Sequence, residues 1–570
     1  MHYAVLATDY DGTIAHDGVV DDATLDALER LKAGQRRLVL VTGRELPDLQ
    51  REMPRLDLFD RVVAENGALL YTPATREQKP LGEAPPAAFV ERLRALEVSP
   101  LSVGRVIVAS WEPNEGKVLD AIRDLGLELQ IIFNKGAVMV LPAGVNKATG
   151  LLAALCDLGL SPLDCVGVGD AENDNAFLEA SGFSVAVANA LPALKERATF
   201  VTEGQRGAGV AELIDRMLAD DLEGLDTHEP RQSVLIAEPR DGDDGPALHL
   251  QPKRETLLLA GASGGGKSTL TLGLLERLGD AGFQYCVIDP EGDYEGSLAA
   301  SYVGDARQPA DVSAVMGELR KPQQSVAVNL LGVPLQDRPA FYAALLPELA
   351  RLRETTGRPH FVVVDEAHHL LPTEWNPPAG DFSASLQGTM FVTVHPEHLS
   401  PRVLDRVDRM LVIGRDPAKA AGAFCGSRGL HCPAPDVKLE TGEVMTFAAG
   451  DPDIRVMRVV PGNGTRQRHV RKYAEGKLGE DKSFYFRGPD RRLNLRAHNL
   501  TLFVQIAEGV DAETWEHHRR AGDFSEWIGS AIKDGELARA IAAIEQSEAA
   551  TDDSRRQIQE AIEAKYTAPA

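Results

Sequence analysis

The chain has 570 residues, a formal net charge of −25 and an apolar fraction of 44%. This length exceeds what one hydrophobic core supports, so we expect about three or four domains. The apolar fraction is typical of a globular protein, and the acidic balance argues against a surface built mainly for nucleic acid. Five scattered cysteines, an acidic N-terminus and no long apolar run predict a cytoplasmic protein without a leader peptide or a membrane span.

Residues 1 to 219 alternate apolar, strand-like runs with amphipathic runs, as in Tyr3–Ala7, Leu38–Val41 and Cys165–Val168. This alternation predicts an α/β domain built on a parallel sheet. Between residues 73 and 143 the rhythm changes to shorter strands around one helix. The sequence therefore predicts a small α+β insert within the first domain.

The stretch DYDGT, Asp9–Thr13, follows the first apolar strand. A carboxylate at the end of a parallel strand lies where such sheets bind ligands, and Asp9 there can attack phosphorus as a nucleophile. Asp11, two residues later, can protonate the leaving oxygen and then activate water. Asp and Gly are also common in surface turns, so the pair by itself leaves that interpretation open.

Three further motifs follow in chain order and favour catalysis over a turn. They supply a strand-ending hydroxyl, a lysine and two carboxylates, namely Thr42 in LVLVTGR, Lys147 in GVNKATG, and Asp170 and Asp174 in VGVGDAENDN. A lysine can hold a phosphoryl group, and carboxylates are the ligands that Mg²⁺ prefers. Four such elements in order, three of them at strand ends, predict a magnesium-dependent phosphoryl-transfer site.

This constellation resembles the haloacid dehalogenase superfamily of phosphatases, in its Cof-like, capped branch (subfamily IIB), and the segment AENGAL at 64–69 is similar to that branch as well. The resemblance implies a Rossmann-like domain with the insert as its cap, and a small phosphorylated metabolite as substrate. It implies the nucleophile Asp9 and the acid/base Asp11, assisted by Thr42 and Lys147. It assigns substrate binding to Gly43, Arg44 and Asn173, and Mg²⁺ to Asp9, the backbone carbonyl of Asp11, Asp170 and Asp174.

A second α/β alternation runs from about 251 to 465, after an acidic, proline-containing stretch at 220–250 that we interpret as a linker with short strands. Its first strand leads into a loop that fits G-x-x-x-x-G-K-[ST], whose backbone N–H groups cradle phosphates. The predicted ATP-binding residues are Gly261, Ser263, Gly264, Gly265, Gly266, Lys267, Ser268 and Thr269. A later strand ends in Asp365 and Glu366. We expect Ser268 and Asp365 to bind a second Mg²⁺ and Glu366 to polarise the attacking water.

The segments VIDPEGDYEG, VVVDEAHHLLP and FVTVHPEHLSPRVLDRVDRMLVIGRDP together resemble the HerA/FtsK-type ring ATPases. The resemblance implies a RecA-like domain that hydrolyses ATP in a homo-oligomer, most often a hexameric ring. It implies a γ-phosphate sensor at Thr393 or His395. It also implies an arginine finger supplied by the neighbouring subunit, for which the candidates are Arg402, Arg406, Arg409 and Arg415.

Residues 466–550 begin with a basic, aromatic segment and continue as helices. Such a segment can stack on bases and follow a phosphate backbone, but we favour a connector whose aromatic side chains pack on the helices, given the acidic chain. The helical part resembles a small bacterial domain of unknown function, which suggests docking rather than chemistry. Residues 551–570 are polar and alanine-rich, and we expect a flexible tail.

The sequence thus favours a bifunctional enzyme, a magnesium-dependent phosphomonoester hydrolase fused to a ring ATPase, with ATP and a small metabolite as substrates. One alternative is nucleic-acid end processing by a kinase and phosphatase, or a DNA-translocating ATPase with an accessory phosphatase. The cap argues against end processing, because a roof over the pocket favours small substrates. A further alternative is a nucleotide-gated oligomeric scaffold.

Overall fold

A computed structural model describes residues 2–134, 136–225, 232–240, 243, 245–375, 386–429, 437–449, 453–462, 483–490, 493–532, 534–547 and 549–566. The chain divides into two compact units, Met1–Val460 and Pro461–Ala570. None of the helices in these ranges is long and apolar enough to span a bilayer. Cys156, Cys165 and Cys286 are free thiols, whereas Cys425 is disulfide-bonded, which the small, scattered set of cysteines did not predict.

The first twelve strands form two sheets. They are β1 (Val5–Thr8), β2 (Arg37–Val41), β3 (Arg61–Ala64), β4 (Leu69–Thr72), β5 (Glu77–Pro80), β6 (Ser102–Val103), β7 (Val108–Trp111), β8 (Leu129–Asn134), β9 (Ala137–Pro142), β10 (Cys165–Gly169), β11 (Phe183–Ala186) and β12 (Phe200–Val201). The main sheet has the order β12-β11-β10-β1-β2-β3-β4-β5. Its central strands are parallel and almost fully buried, as expected of a sheet covered by helices on both faces.

Eight helices accompany these strands. They are α1 (Asp22–Ala33), α2 (Leu46–Glu52), α3 (Ala87–Ala95), α4 (Glu115–Asp124), α5 (Lys147–Leu158), α6 (Asn175–Ala180), α7 (Pro192–Arg197) and α8 (Arg206–Asp220). The cap is the four-stranded sheet β6-β7-β9-β8, with α3 and α4 packed on one face. The predicted insert began too early, because β5 pairs with β4 and belongs to the main sheet. The exposed sequence EQKP of β5 carries no apolar alternation that would reveal it.

A second sheet of eleven strands occupies the rest of the first unit. Its strands are β13 (Val234–Pro239), β14 (Leu248–Leu250), β15 (Leu257–Gly261), β16 (Tyr285–Asp289), β17 (Ser301–Val303), β18 (Val326–Asn329), β19 (Phe361–Val364), β20 (Thr389–Thr393), β21 (Arg409–Ile413), β22 (Glu443–Ala448) and β23 (Arg455–Val459). Their order is β14-β13-β23-β22-β21-β15-β20-β19-β16-β18-β17. The strands β13 and β14, from the stretch interpreted as a linker, are therefore integral to this sheet.

Among the described residues, five helices belong to this sheet, namely α9 (Lys267–Asp280), α10 (Val312–Leu319), α11 (Arg338–Thr356), α12 (Pro401–Leu404) and α13 (Pro417–Arg428). Two hydrophobic cores contain residues from its strands. One includes α10 and α11 side chains, and the other includes α9 side chains. Both faces of the central parallel strands are thus buried, which explains their nearly continuous apolar sequences.

A buried polar cluster joins the elements of the two sheets. The carboxylate of Asp164, just before β10, lies 2.7 Å from Lys253 Nζ and 3.2 Å from His360 Nε2. His360 Nδ1 accepts the backbone N–H of Gln284 at 2.7 Å, so its Nε2 carries the proton and donates to Asp164. Burial alone would raise the pKa of Asp164, but Lys253 and His360 outweigh it and lower that pKa to about 2.

The C-terminal unit is a β-hairpin followed by helices. Its elements are β24 (Phe484–Phe486), β25 (Leu495–Ala497), α14 (Leu500–Gly509), α15 (Ala512–Ala521), α16 (Asp523–Trp527), a π-helical turn at Ile528–Ile532, α17 (Gly535–Glu545) and α18 (Thr551–Tyr566). The prediction of a flexible tail is wrong for residues 551–566, because Ile558 and Ile562 of α18 pack into the aromatic core of this unit. The basic residues at 466–482 lie outside the described part of the chain.

Candidate active sites

Three predicted site residues meet at one edge of the main sheet. Strand β1 lies between β10 and β2, parallel to both, so their carboxyl ends are adjacent. Asp9 comes directly after β1, Thr42 after β2 and Asp170 after β10. Their exposed fractions are 4%, 1% and 5%. The edge at which open α/β sheets bind ligands is therefore lined by two carboxylates and a hydroxyl.

Lys147 lies between two carboxylates of this site. Its Nζ is 2.5 Å from Asp9 Oδ1 and 2.6 Å from Asp174 Oδ1. Burial alone would lower the pKa of Lys147, but Asp174 and Asp9 raise it above its ordinary value. Burial, with the charge of Asp174, raises the pKa of Asp9 to about 7. The lysine therefore stays protonated and neutralises part of the carboxylate charge.

The acidic side chains are suited to hold a cation. Among the described residues, Asp9, Asp170 and Asp174 form the only group of His, Cys, Asp or Glu side chains whose ligand atoms all lie within 4.8 Å of one another. Thr13 Oγ1 lies 3.2 Å from Asp9 Oδ2 and 3.4 Å from Asp170 Oδ1, so it is within reach of both carboxylates. Three buried carboxylates exceed the charge of one lysine, and a hard divalent cation such as Mg²⁺ fits this oxygen set.

Asp11 is bound by Arg44. The guanidinium donates from Nε to Asp11 Oδ2 at 2.7 Å and from Nη2 to Asp11 Oδ1 at 2.8 Å. Its Nη1 donates to Asp48 Oδ2 at 2.9 Å. We expected Arg44 to bind substrate, but in the structure both its edges are occupied by carboxylates. Its geometry suits orienting Asp11 rather than receiving a ligand.

The segment Thr42–Gly43 faces a pair of amides and the cap. A Cβ built on Gly43 would lie 3.7 Å from Met139 Sδ, 3.8 Å from Asn173 Nδ2 and 3.9 Å from Asn66 Oδ1. Asn173 Nδ2 donates to Asn66 Oδ1 at 3.0 Å. Gly43 and Asn173 are thus close together, as expected, and Asn66 and Met139 are neighbours that the sequence did not assign to the site.

The turn Glu65–Gly67 connects this site to the cap. All three residues have positive φ, at 51°, 55° and 108°, a conformation that costs free energy for Glu and Asn. A Cβ on Gly67 would lie 1.9 Å from the carbonyl oxygen of Asn146, so only glycine fits there. Glu65 accepts the backbone N–H groups of Arg105, Val106 and Ile107 at 2.8–2.9 Å. The carboxylate of Glu65, a residue of the core domain, therefore anchors the cap loop at residues 105–107.

A second set of predicted residues gathers at the carboxyl edge of the other sheet. Lys267 begins α9 directly after the glycine-rich loop, and its Nζ donates to the carbonyl of Gly261 at 2.9 Å. Gly264 and Gly266 have φ of 75° and 101°, which favours glycine. Burial lowers the pKa of Lys267, although the charges of Glu366 and Asp365 act to raise it. Ser268 and Thr269 follow in the first turn of α9, and Ser263 and Gly265 complete the loop.

Asp365 follows β19 and is held by Tyr294, whose hydroxyl donates to its Oδ2 at 2.9 Å. Asp289, at the end of β16, accepts the N–H groups of Asp293 and Tyr294 at 3.0 and 2.9 Å. Burial raises the pKa of Asp365 to about 6. Burial also raises the pKa of Glu366, opposed by Lys267. The segment after β16 thus positions the first carboxylate of the DE pair.

The two candidate sensors differ in their contacts. Thr393, at the end of β20, is fully buried, and its Oγ1 lies 3.1 Å from His368 Nδ1. His368 in turn lies 3.5 Å from Glu366, and burial and three neighbouring histidines lower its pKa to about 4. The ring of His395 instead contacts Glu397 at 3.1 Å. Both candidates are therefore connected to Glu366, Thr393 through His368 and His395 through its charge and its ring contact with His368 at 5.7 Å.

The four arginines do not share one position. Arg415 is exposed and follows Gly414 at the carboxyl end of β21, next to the glycine-rich loop. Arg409 begins β21 opposite Leu257, at the other end of the strand, and lies 3.8 Å from Glu255. A finger that acts on a neighbouring subunit need not lie at the nucleotide edge of its own chain, so Arg409 stays a candidate. Arg402 and Arg406 are exposed near α12.

The family model of the haloacid dehalogenase-like hydrolases matches residues 6–89 and 118–214. A protein named phosphoglycolate phosphatase from Methanothermobacter thermautotrophicus is 32% identical over 224 residues, which are 98% of that protein and 37% of this chain. This chain belongs to the haloacid dehalogenase-like hydrolases. Region 6–214 of the hydrolase is a phosphatase domain of that superfamily, as its four ordered motifs predicted.

Other similar proteins cover the same part of the hydrolase. Phosphoglycolate phosphatase 2 of Saccharolobus solfataricus is 31% identical and is covered over 92% of its length, against 38% of this chain. A crystal structure of a haloacid dehalogenase-like hydrolase from Bacteroides thetaiotaomicron is 19% identical, with a TM-score of 0.34, and covers 38% of this chain and 99% of that one.

The structure brings together most, but not all, of the predicted residues of the hydrolase. Asp9, Thr42, Lys147, Asp170 and Asp174 form one site, whereas the side chain of Asp11 lies beside Arg44. Sequence reasoning missed the contact roles of Asp48, Glu65, Asn66, Met139 and Tyr294. Two of these residues, Glu65 and Asn66, lie in the AENGAL segment, but the sequence assigned no role to either. A methionine in a strand and a tyrosine in a loop carry no signal beyond packing.

Proposed function

We propose that the N-terminal domain hydrolyses a small phosphomonoester through an aspartyl-phosphate on Asp9. The observation that carries the proposal is the buried Asp9 carboxylate beside Lys147 and two further carboxylates, with Asp11 fixed nearby by Arg44. Asp9, Asp170 and Asp174 would hold Mg²⁺. The ion, when bound, would neutralise charge on the phosphoryl oxygens.

The residues divide the reaction into two displacements. An Asp9 oxygen forms a bond to phosphorus while the ester P–O bond breaks. Asp11 first takes up a proton from solvent on one oxygen, which gives up its hydrogen bond from Arg44, and then gives that proton to the leaving oxygen. Asp11, now a carboxylate, takes a proton from water as that water attacks phosphorus, which releases phosphate and restores Asp9. Lys147, held between Asp9 and Asp174, stabilises the charge of the transferring group. Arg44 keeps Asp11 in position throughout.

For the substrate we propose a small phosphorylated carboxylic acid, with 2-phosphoglycolate as the first candidate. The support comes from relatives named phosphoglycolate phosphatase that this chain covers almost completely. The cap adds support, because Glu65 anchors its loop over the site and Met139 of β9 lies against Gly43. A cap this close to the site favours a substrate whose leaving group has few atoms.

The test is phosphate release from a panel of phosphorylated metabolites with Mg²⁺. We expect hydrolysis of 2-phosphoglycolate by the full chain and a rate lower by about a thousandfold or more for Asp9→Asn, because the amide is not a nucleophile. The exposed Asp57→Asn serves as the matched control and should retain activity. An Asp9→Asn protein that keeps the wild-type rate would overturn the assignment.

We infer a second activity, ATP hydrolysis by residues 251–465, in a HerA-like homo-oligomer that is most often a hexameric ring. The observation in its favour is the convergence of Lys267, Asp365 and Glu366 beside a glycine-rich loop that opens α9. Glu366→Gln should bind ATP without turning it over, and Lys267→Ala should weaken binding. Lys321→Ala, in a surface pair with Glu318, is the control. Wild-type ATP turnover by Glu366→Gln would contradict the assignment.

A further inference from the structure

An amide pair beside the first site has hydrogen-bonding groups that the proposed mechanism does not use. Asn66 is 1% exposed, and its Oδ1 accepts from Asn173 Nδ2 at 3.0 Å. Within the described part of the chain, Asn66 Nδ2 has no hydrogen-bond partner, nor has Asn173 Oδ1. A buried donor without a partner is unfavourable, so its presence at a site of chemistry calls for a ligand.

The backbone holds this donor in place. Asn66 has φ 55° and ψ 33°, and its N–H donates to the carbonyl of Thr42 at 3.0 Å. On one side Glu65 is tied to the cap loop by three N–H groups. On the other side Gly67 packs against the Asn146 carbonyl, directly before Lys147. Strained backbone that its surroundings fix in this way is a common feature of binding sites.

The Asn66 amide lies where the core meets the cap. The Asn66 Oδ1 atom and Sδ of Met139, in cap strand β9, lie at 3.9 and 3.7 Å from the same Cβ position on Gly43. The nucleophile lies among Lys147, Asp170 and Asp174 in the core. The ester substituent of a phosphoryl group held at Asp9 would extend toward this boundary, where Asn66 is the core residue beside the cap.

We propose that Asn66 binds the leaving group of the substrate, donating from Nδ2 to a carboxylate oxygen on the carbon next to the ester oxygen. The proposal rests on the phosphatase function proposed above. Two cations of the site are already engaged, Arg44 with Asp11 and Asp48, and Lys147 with Asp9 and Asp174. The buried Nδ2 of Asn66 is a donor that remains without a partner among the described residues, and it suits an acceptor group such as a carboxylate.

The experiment compares two substrates in the full chain. 2-Phosphoglycolate has the acceptor carboxylate, and p-nitrophenyl phosphate has no acceptor next to its ester oxygen. We expect Asn66→Ala to lower kcat/KM for 2-phosphoglycolate about tenfold to a hundredfold, as for loss of a hydrogen bond to a charged group. The value for p-nitrophenyl phosphate should change less than about threefold. Asn66→Asp should lower the 2-phosphoglycolate value further, because it places like charges together.

Asn114→Ala is the matched control. Asn114 is a buried cap amide whose Nδ2 contacts Ser99 O, Ser110 Oγ and Trp111 O at 3.0–3.2 Å, and its loss should leave the ratio of the two kcat/KM values unchanged. Equal losses on both substrates with Asn66→Ala, or no loss on either, would overturn the proposal. If wild type hydrolyses p-nitrophenyl phosphate but not 2-phosphoglycolate, the substrate proposal fails instead, and the carboxylate-binding role of Asn66 fails with it. If wild type hydrolyses neither, the phosphatase function itself fails.

Discussion

Arg44 and Asp11 form a bidentate pair, with two N–H···O bonds of 2.7 and 2.8 Å. The pair matters because Asp11 must present one oxygen to the leaving group and later to water. A planar guanidinium fixes a carboxylate in one plane, whereas an ammonium group does not. The hydrogen bonds that Asp11 accepts from Arg44, together with the charge of Asp11, also raise the pKa of Arg44 above its ordinary value. Arg44 is therefore a positioning residue for the acid/base.

Replacing Arg44 by lysine should show whether Arg44 acts by orienting the Asp11 carboxylate or only through its positive charge. We expect Arg44→Lys to lower kcat by about tenfold or more while KM changes little, because the fork is lost and the positive charge remains. Steady-state phosphate release measures both constants. Arg51→Lys, which alters an exposed pair with Asp48, is the control. A raised KM with an unchanged kcat would instead place Arg44 on the substrate.

Gly67 and Gly126 offer a matched pair of substitutions. Both have positive φ, 108° and 61°, but a Cβ on Gly67 would meet the Asn146 carbonyl at 1.9 Å, while one on Gly126 has open space. Gly126→Ala should lower the free energy of unfolding by about 1 kcal/mol. Gly67→Ala should cost several kcal/mol more, or prevent folding. Denaturant unfolding compares the two, and equal losses would show that the close approach is absent.

The stability of the protein should depend on pH through Asp164. Its folded pKa of about 2 lies below the ordinary value of about 4. A depressed carboxyl pKa stabilises the fold above the unfolded pKa, and the contribution is lost as pH falls from about 4 toward 2. Asp164→Asn should therefore destabilise the protein by about 3 kcal/mol or more at pH 7, and this difference should shrink below about pH 4.

The control for Asp164 is Asp215→Asn, which breaks an exposed ion pair with Arg30. It should cost less than about 1 kcal/mol at any pH. Thermal or chemical unfolding at several pH values measures both variants. A pH-independent effect of Asp164→Asn would mean that the pKa of this carboxyl is the same in the folded and unfolded states.

The assembly can be tested by dilution. An arginine from a neighbouring subunit, for which the candidates are Arg402, Arg406, Arg409 and Arg415, completes an ATPase site only in an oligomer. ATP turnover per chain should then fall on dilution, while phosphate release from the first site falls less. Light scattering with both activities across a dilution series tests this. A monomer with undiminished ATP turnover at the lowest concentration would exclude the shared site.

The sequence predicted the strand-end residues well and their partners poorly. Asp9, Thr42 and Asp170 were predictable because parallel strands place their carboxyl ends at one edge. The contacts of Asn66 and Glu65 were not, because they depend on a left-handed turn and on a cap loop distant in sequence. Likewise β5, β13 and β14 were missed or interpreted as linker, since short edge strands lack clear alternation.

The Asp164 cluster also bears on how the chain can be divided. A fragment ending near residue 225 would lose Lys253 and His360 and leave Asp164 beside water, with its ordinary pKa restored. The remaining piece would expose Lys253 and His360 without their counter-charge, together with Arg358, which donates to the Gly159 carbonyl at 2.6 Å. Separating the two sheets would therefore expose charged side chains to water on both fragments, whereas in the intact chain these side chains are buried against one another. The segment Met1–Val460 is accordingly one compact unit.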